Sequence, residues 1–182
     1  MTPTESAAAK PQLITPTFVL AWVANFCQFL VFYLFVTTMA LYAVESFGAS
    51  DTVGGFASSA FVLGATCMRV FSGWIVDRVG HKKAALTSLA FVTVVAVAYF
   101  FAHNVAVLII VRMVHGAGYA LTSTALMAVA QSVIPHERRA EGTGYFALGT
   151  TLATAFGPAI GLLLANNIGY TTLFAVALGA NI

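Results

Sequence analysis

The stretch GWIVDRVGHKK, residues 73–83, places four charged side chains between two long apolar runs. These are Asp77, Arg78, Lys82 and Lys83, whereas only 8% of the whole chain is charged. The runs on both sides are about as long as the roughly 20 residues that a helix needs to cross a bilayer. The stretch therefore predicts a polar turn between two membrane-spanning helices.

The composition of the whole chain indicates the same class of protein. It is 60% hydrophobic with a mean hydropathy of +0.92, whereas a soluble domain is about half apolar and about a quarter charged. Cys27 and Cys67 lie inside apolar runs, which indicates small core residues rather than a disulfide or a metal pair. The net charge of +2 includes no basic run suited to nucleic acid. We expect an integral membrane protein.

Five segments are long and apolar enough to span a bilayer, near residues 17–44, 53–76, 84–102, 105–134 and 143–165. Asp51 or Thr52 is the predicted N-cap of the second helix. A sixth apolar run opens near residue 171 and reaches only about 18 Å by the end of the sequence, against a hydrocarbon core of about 30 Å. We expect a polar cytoplasmic head over residues 1–15, one membrane domain over 16–182, and a truncated sixth helix.

The cations between the spans predict the orientation of the chain. With five spans, all the loop cations fall on one side of the membrane: Lys10, Arg78, Lys82, Lys83, Arg138 and Arg139. Lys and Arg concentrate in cytoplasmic loops. We expect a multi-pass protein of the plasma membrane, the inner membrane of a bacterium, with a cytoplasmic N-terminus.

Polar residues inside the spans are the candidate site. Arg112, His115 and Tyr119 share one face of the fourth helix with Gly116 and Ser123. Charge at bilayer depth normally faces protein or a water-filled cavity, so this stripe predicts a substrate or proton pathway. The alternative is that Arg112 only bonds a neighbouring helix.

Other intramembrane residues leave alternatives open. Asn25 and Gln28 of the first helix either line a cavity or hydrogen-bond across helices. For Arg69 a protein partner is favoured over lipid headgroups, and the sequence does not identify that partner. The third helix is nearly all apolar and is predicted to lie at the periphery. No Asp or Glu lies in the middle of a span, so a carboxylate that carries protons is not expected in this part of the chain.

The fifth helix carries small residues at strict four-residue spacing: Gly149, Ala153, Gly157 and Gly161. Such a stripe lets another backbone approach closely. Pro158 is expected to kink or loosen the helix. No residue pattern in the chain indicates a catalytic constellation, a metal site or a cofactor, so an enzyme is not expected.

Three motifs resemble those of the major facilitator superfamily. GWIVDRVGHKK resembles its signature for the loop between the second and third helices, with matches at Gly73, Asp77, Arg78, Gly80 and Lys82. Lys83 adds a further cation, and His81 replaces the usual Arg or Lys. RMVHGAG resembles the fourth-helix signature, through Arg112, Gly116 and Gly118. GYFALGTTLATAFGPAIGL resembles the antiporter signature of the fifth helix, with matches at Gly144, Gly157, Pro158 and Gly161, although Ala153 and Leu162 replace glycines.

The resemblance implies an all-α membrane protein, the N-terminal six-helix half of a twelve-helix bundle, here with five complete helices and a truncated sixth. It implies alternating access to a central cavity lined by the first and fourth helices, with a cytoplasmic gating motif and with proton coupling or substrate handling by Arg112. The expected partners are a small organic solute, the lipid bilayer, protons and a C-terminal half of the same protein, and the expected activity is efflux by an antiporter. The alternative is a half-size protein that acts as a dimer or as a packing subunit without transport.

Overall fold

The structure, a computed structural model, describes residues 12–181, so most of the predicted head lies outside the described residues. Six α-helices follow one another: α1 Pro16–Phe47, α2 Asp51–Val79, α3 His81–Val97, α4 Val105–Val133, α5 Arg139–Asn167 and α6 Tyr170–Ala180. Short 3-10 turns, Ala98–Phe101 and His136–Arg138, follow α3 and precede α5. The first five helices are long and apolar enough to cross a membrane, with α3 counted together with its 3-10 turn, whereas α6 has only 11 residues. The predicted all-α class is confirmed.

Four of the five predicted spans begin earlier than expected, whereas α4 begins at residue 105 as predicted. The cap of α2 is Ser50, whose side chain accepts a hydrogen bond from the backbone N–H of Val53, so the prediction of Asp51 or Thr52 was wrong. Helices α3 and α5 begin at His81 and Arg139, three and four residues before the predicted starts at 84 and 143. Hydropathy finds the part of a helix that lies in hydrocarbon, whereas backbone hydrogen bonding continues into the polar ends.

The turn between α2 and α3 is a single residue, Gly80, with φ +92° and ψ 137°. A side chain strongly disfavours this backbone conformation, which explains a glycine at this place. Asp77 and Arg78 consequently lie in the last turn of α2, and Lys82 and Lys83 in the first turn of α3, rather than in a loop.

Two tight helix pairs organise the bundle. α2 packs along α4, and α1 packs along α5, while α1 also contacts α2 and α4. α3 packs mainly on α4 and exposes large apolar side chains such as Leu86 and Val94, in agreement with its predicted place at the periphery. The buried residues of α2 and α5 in these interfaces are mostly small.

The small stripe of α5 faces α1. Gly149, Ala153, Gly157 and Gly161 are all buried, and a Cβ added at Gly157 or Gly161 would press on Tyr33 or Leu34. The predicted close approach is therefore present. α5 continues as one helix through Pro158.

The connections alternate between the two ends of the bundle. Leu13 packs in one apolar cluster with Val76 at the end of α2, Ala84 at the start of α3 and Ile134 after α4. Ala43 of α1, Leu108 of α4 and Phe174 of α6 pack at the opposite end. The loop cations thus lie at the same end of the bundle as the start of α1, as predicted: Arg78, Lys82, Lys83, Arg138 and Arg139. Lys10 lies outside the described residues.

Candidate functional site: a polar cavity between α1, α2, α4 and α5

A cavity of about 470 Å³ opens between four helices. Its polar lining comes from all four of them: Asn25, Arg69, Ser123, Thr124, Thr150 and Thr151. Phe29 and Phe146 contribute aromatic rings beside these groups. The volume falls in the range of about 300–1,000 Å³ that is typical of small-molecule sites.

Arg69 supplies the charge of this cavity. Of the described residues that line it, Arg69 alone is charged, and the side chain forms no hydrogen bond or ion pair within residues 12–181. It also lines a second cavity of about 200 Å³ beside Phe61 and Tyr119. Arg69 precedes the end of α2 at Val79 by ten residues, or about 15 Å, which is bilayer depth.

Of the two roles expected for Asn25 and Gln28, Asn25 lines a cavity and Gln28 forms a hydrogen bond at the end of another helix. The side chain of Asn25 is only 3% exposed and lines the cavity, where it has no hydrogen-bond partner among the described residues. Gln28 instead donates from Nε2 to Oδ1 of Asn181, just after α6. Thr93 of α3 donates to the carbonyl of Asn181 at 3.0 Å, so this polar group ties the end of α6 to α1 and α3.

Arg112 lies outside the cavity and is completely buried. Its Nη2 donates to the carbonyl of Ser58 at 2.8 Å, and its Nε to that of Ala57 at 3.4 Å, so the guanidinium bonds the backbone of α2. The guanidinium also lies 4.8 Å from the centroid of the Phe61 ring. Its Nη1 has no hydrogen-bond partner among residues 12–181. In this conformation Arg112 links α4 to α2 through these hydrogen bonds.

His115 and Tyr119 continue the stripe on α4, with different surroundings. Nδ1 of His115 lies 3.0 Å from the hydroxyl of Tyr99, within a buried group of aromatic rings. Tyr119 stacks on Phe32 and lines the smaller cavity beside Arg69. Ser123, one turn further along, reaches the larger cavity. The stripe is therefore packed at Arg112 and His115 and open at Tyr119 and Ser123.

The predicted gating motif lies at the end of the bundle that carries the cations. Asp77 approaches His81 with 3.9 Å between Oδ1 and Nε2, and its side chain is 81% exposed. The guanidinium of Arg78 covers the Trp74 ring at 5.3 Å. Lys82 and Lys83 are exposed, and a Cβ at Gly73 would meet open space. None of the motif residues lines the cavity.

The motif of α5 positions this helix rather than lining the site. Gly157 and Gly161 pack on α1, Pro158 is half-buried, and Gly144 is exposed with free space around it. Thr150 and Thr151, which the sequence analysis did not select, are the α5 residues that bring hydroxyls to the cavity. The sequence signal that could have identified them is the presence of two adjacent threonines in the middle of an apolar span.

A family model described as the Major Facilitator Superfamily matches residues 21–182. The chain belongs to this family. The major facilitator resemblance and the class of transport protein, rather than enzyme, are thereby confirmed.

Curated members of the superfamily resemble the chain over most of its length. The staphylopine export protein of Staphylococcus aureus is 31% identical over 133 residues, which are 72% of this chain and 32% of that protein. The multi-drug resistance efflux pump PmrA of Streptococcus pneumoniae is 30% identical over 161 residues, 85% of this chain and 39% of the pump. An uncharacterized MFS-type transporter of Methanocaldococcus jannaschii is 28% identical over 148 residues, or 81% of this chain and 38% of that transporter. The chain spans less than two fifths of each of these relatives.

Proposed function

We propose that the chain forms the N-terminal half of a secondary active transporter that exports a small organic solute in exchange for protons. The observation that carries this proposal is the cavity of about 470 Å³, in which an amide, hydroxyls and a guanidinium lie beside aromatic rings. Convergent polar groups in a largely apolar cavity are typical of small-molecule sites. The names of two relatives, an export protein and an efflux pump, favour export over import.

Alternating access would use the same cavity from both sides of the membrane. In major facilitator transporters the two halves rock against each other around a site near the middle of the bilayer. The depth of Arg69, about 15 Å from the end of α2, supports such a place for the cavity. A C-terminal half of the same protein is then the partner that closes the site.

In the proposed orientation the N-terminus is cytoplasmic and the protein lies in the plasma membrane, the inner membrane of a bacterium. The shared end of Arg78, Lys82, Lys83, Arg138 and Arg139 supports this orientation, since cations collect on the cytoplasmic side. The motif at Gly73, Asp77, Arg78, Gly80, Lys82 and Lys83 would then close the cytoplasmic entrance by contact with the other half. Its exposed charges are available for such a contact.

Proton coupling would involve the stripe of Arg112, His115 and Tyr119. The stripe runs from the buried contact with α2 to the rim of the cavity, which supports a path between them. No carboxylate among the described residues lines the cavity, so acidic groups that take part in the exchange would lie elsewhere in the protein. Asn25 would contact the solute, and Gln28 would hold α6 against α1.

Everted membrane vesicles that carry the full-length gene product test this function. The vesicle interior is made acidic, so that protons can flow outward as solute enters, and we expect accumulation of at least one compound from a panel of anionic, neutral and cationic fluorescent solutes. A protonophore and the substitution Arg112→Ala should each abolish accumulation. Accumulation that survives both treatments would contradict proton coupling, and no accumulation of any solute would contradict export.

A further inference from the structure

We propose that the cavity selects organic anions, whose carboxylate or phosphate group binds between Arg69 and Asn25. This inference rests on the proposed function and adds the class of solute. Its basis is the charge and hydrogen-bonding capacity of the lining residues.

The described lining of the cavity carries a positive charge and no negative charge. Arg69 brings a guanidinium to bilayer depth, and no described residue of the lining brings a carboxylate. A charge at this depth is expensive unless an opposite charge or a polar group accompanies it. An anionic solute supplies that opposite charge, whereas a cationic solute would meet a like charge.

The hydrogen-bond donors of the cavity point to the same ligand. Asn25 as a residue is 97% buried, yet its amide has no hydrogen-bond partner within the described part of the chain and lines the same cavity as Arg69. An amide that reaches the cavity without a protein partner is available to donate to an acceptor on a bound solute. Ser123 and Thr124 donate their hydroxyl protons to the carbonyl of Ala120, and Thr151 donates to that of Ala147, which leaves the guanidinium, the amide and the hydroxyl of Thr150 as the donors for an anion.

The rest of the lining fits an organic body attached to the anionic group. Phe29 and Phe146 offer ring faces, and Met127 adds an adaptable apolar side chain. Arg favours planar oxyanions because its N–H groups form a fork that matches their two oxygens. The geometry thus points to a flat or aromatic carboxylate, or a phosphate of similar size, rather than an inorganic ion.

The test measures binding of 2-naphthoate and of its neutral counterpart 2-naphthamide to the full-length protein in phosphatidylcholine nanodiscs. We expect naphthoate to bind more tightly. Arg69→Gln should lower the affinity for naphthoate about tenfold or more, which corresponds to the loss of one charge-assisted hydrogen bond, and leave that for naphthamide unchanged. Arg69→Lys should restore part of the affinity, because it keeps the charge and loses the fork.

Two control variants keep the result interpretable. Arg139→Gln removes the same charge from an exposed position at the start of α5, outside the cavity, and should leave both affinities unchanged. Asn25→Ala should weaken naphthoate more than naphthamide. An Arg69→Gln protein that binds naphthoate as tightly as wild type would overturn the proposal, since the charge would then be neutralised by another part of the protein.

A lipid headgroup also carries an anionic phosphate, so a separate experiment must distinguish lipid from solute. Nanodiscs rich in phosphatidylglycerol should leave the naphthoate affinity of the wild-type protein unchanged. If this lipid competes with naphthoate in wild type but not in Arg69→Gln, the site belongs to lipid and the proposal is wrong. If vesicles exchange cationic or neutral solutes for protons while naphthoate does not bind, transport stands and only the anion selectivity is refuted.

Discussion

Gly64 of α2 and Gly116 of α4 lie in one crossing where the two helices touch backbone to backbone. A Cβ at Gly64 would overlap the carbonyl oxygen of Met113, and one at Gly116 would overlap that of Phe61. Because the two contacts step in opposite directions along the helices, they describe one antiparallel seam. Next to this seam, Arg112 donates to the carbonyls of Ala57 and Ser58. The pair α2–α4 is therefore joined by both shape and hydrogen bonds.

The first prediction concerns this seam. Gly64→Ala should lower the free energy of unfolding by about 1–3 kcal/mol or more, because the added methyl group forces two backbones apart. The measurement is thermal unfolding in detergent, followed by tryptophan fluorescence. Gly55→Ala is the matched control on the same helix, since a Cβ there meets open space, and its stability should be equal or higher. Equal stability of the two variants would contradict the backbone contact.

The second prediction separates the structural contribution of Arg112 from its proposed role in transport. Arg112→Ala should destabilise the protein by about 1.5–3 kcal/mol, because hydrogen bonds from a charged group to two backbone carbonyls of α2 are lost. Arg112→Lys should lose less stability, since its ammonium can still reach one carbonyl. Thermal unfolding of both variants, with Arg139→Ala as the exposed control, provides the measurement. An Arg112→Ala protein as stable as the control would show that these bonds contribute nothing.

The third prediction concerns Asp77. An acid at a helix C-terminus is disfavoured by the helix dipole, and the nearest cationic partner described for Asp77 is His81 at 3.9 Å, which is charged only when protonated. Asp77→Asn should therefore not destabilise the protein, yet it should cripple transport by the full-length product if the gating motif closes against the other half. Transport in everted vesicles and the amount of inserted protein are measured together.

Asp51→Asn is the control for Asp77, because it removes an acid from the opposite end of α2. There the dipole favours a negative charge, so this change should lose about 0.3–1 kcal/mol of stability and keep transport. Wild-type transport by Asp77→Asn would show that the gating role is wrong.

The fourth prediction tests the orientation. In a background with Cys27→Ala and Cys67→Ala, single cysteines are introduced by His103→Cys, between α3 and α4, and by Arg139→Cys at the start of α5. A membrane-impermeant maleimide added to intact cells should label position 103 and not 139. Everted vesicles should give the reverse. Labelling of position 139 in intact cells would place the cations outside and contradict the cytoplasmic N-terminus.

The sequence predicted the fold well because membrane spans and small-residue stripes leave local signals. Hydropathy located five helices, and the four-residue spacing of Gly157 and Gly161 identified the face of α5 that packs on α1. The helix ends were less accurate, since Ser50 rather than Asp51 or Thr52 caps α2. A cap depends on the backbone conformation of one residue, which composition does not fix.

The site was predicted less completely, for a physical reason. Periodicity shows which residues share a face of one helix, but a cavity forms only where several helices diverge. Arg112 and Tyr119 share a face of α4, yet the first is sealed against α2 and the second borders the small cavity. Arg69, for which the sequence suggested no partner, joins Asn25 and Thr150 in the larger cavity through the packing of three different helices.

The single-residue turn at Gly80 has a consequence for how insertions and deletions would act on this chain. Each residue added to a helix rotates the later residues of that helix by about 100° around its axis. A longer loop would absorb such a change, but here α3 begins directly after the turn. One extra residue would swing Ala84, Ala85 and Ser88 away from their buried positions and bring lipid-facing side chains such as Leu86 against α4. The length of this connection is thus under a constraint as strict as that on its residue types.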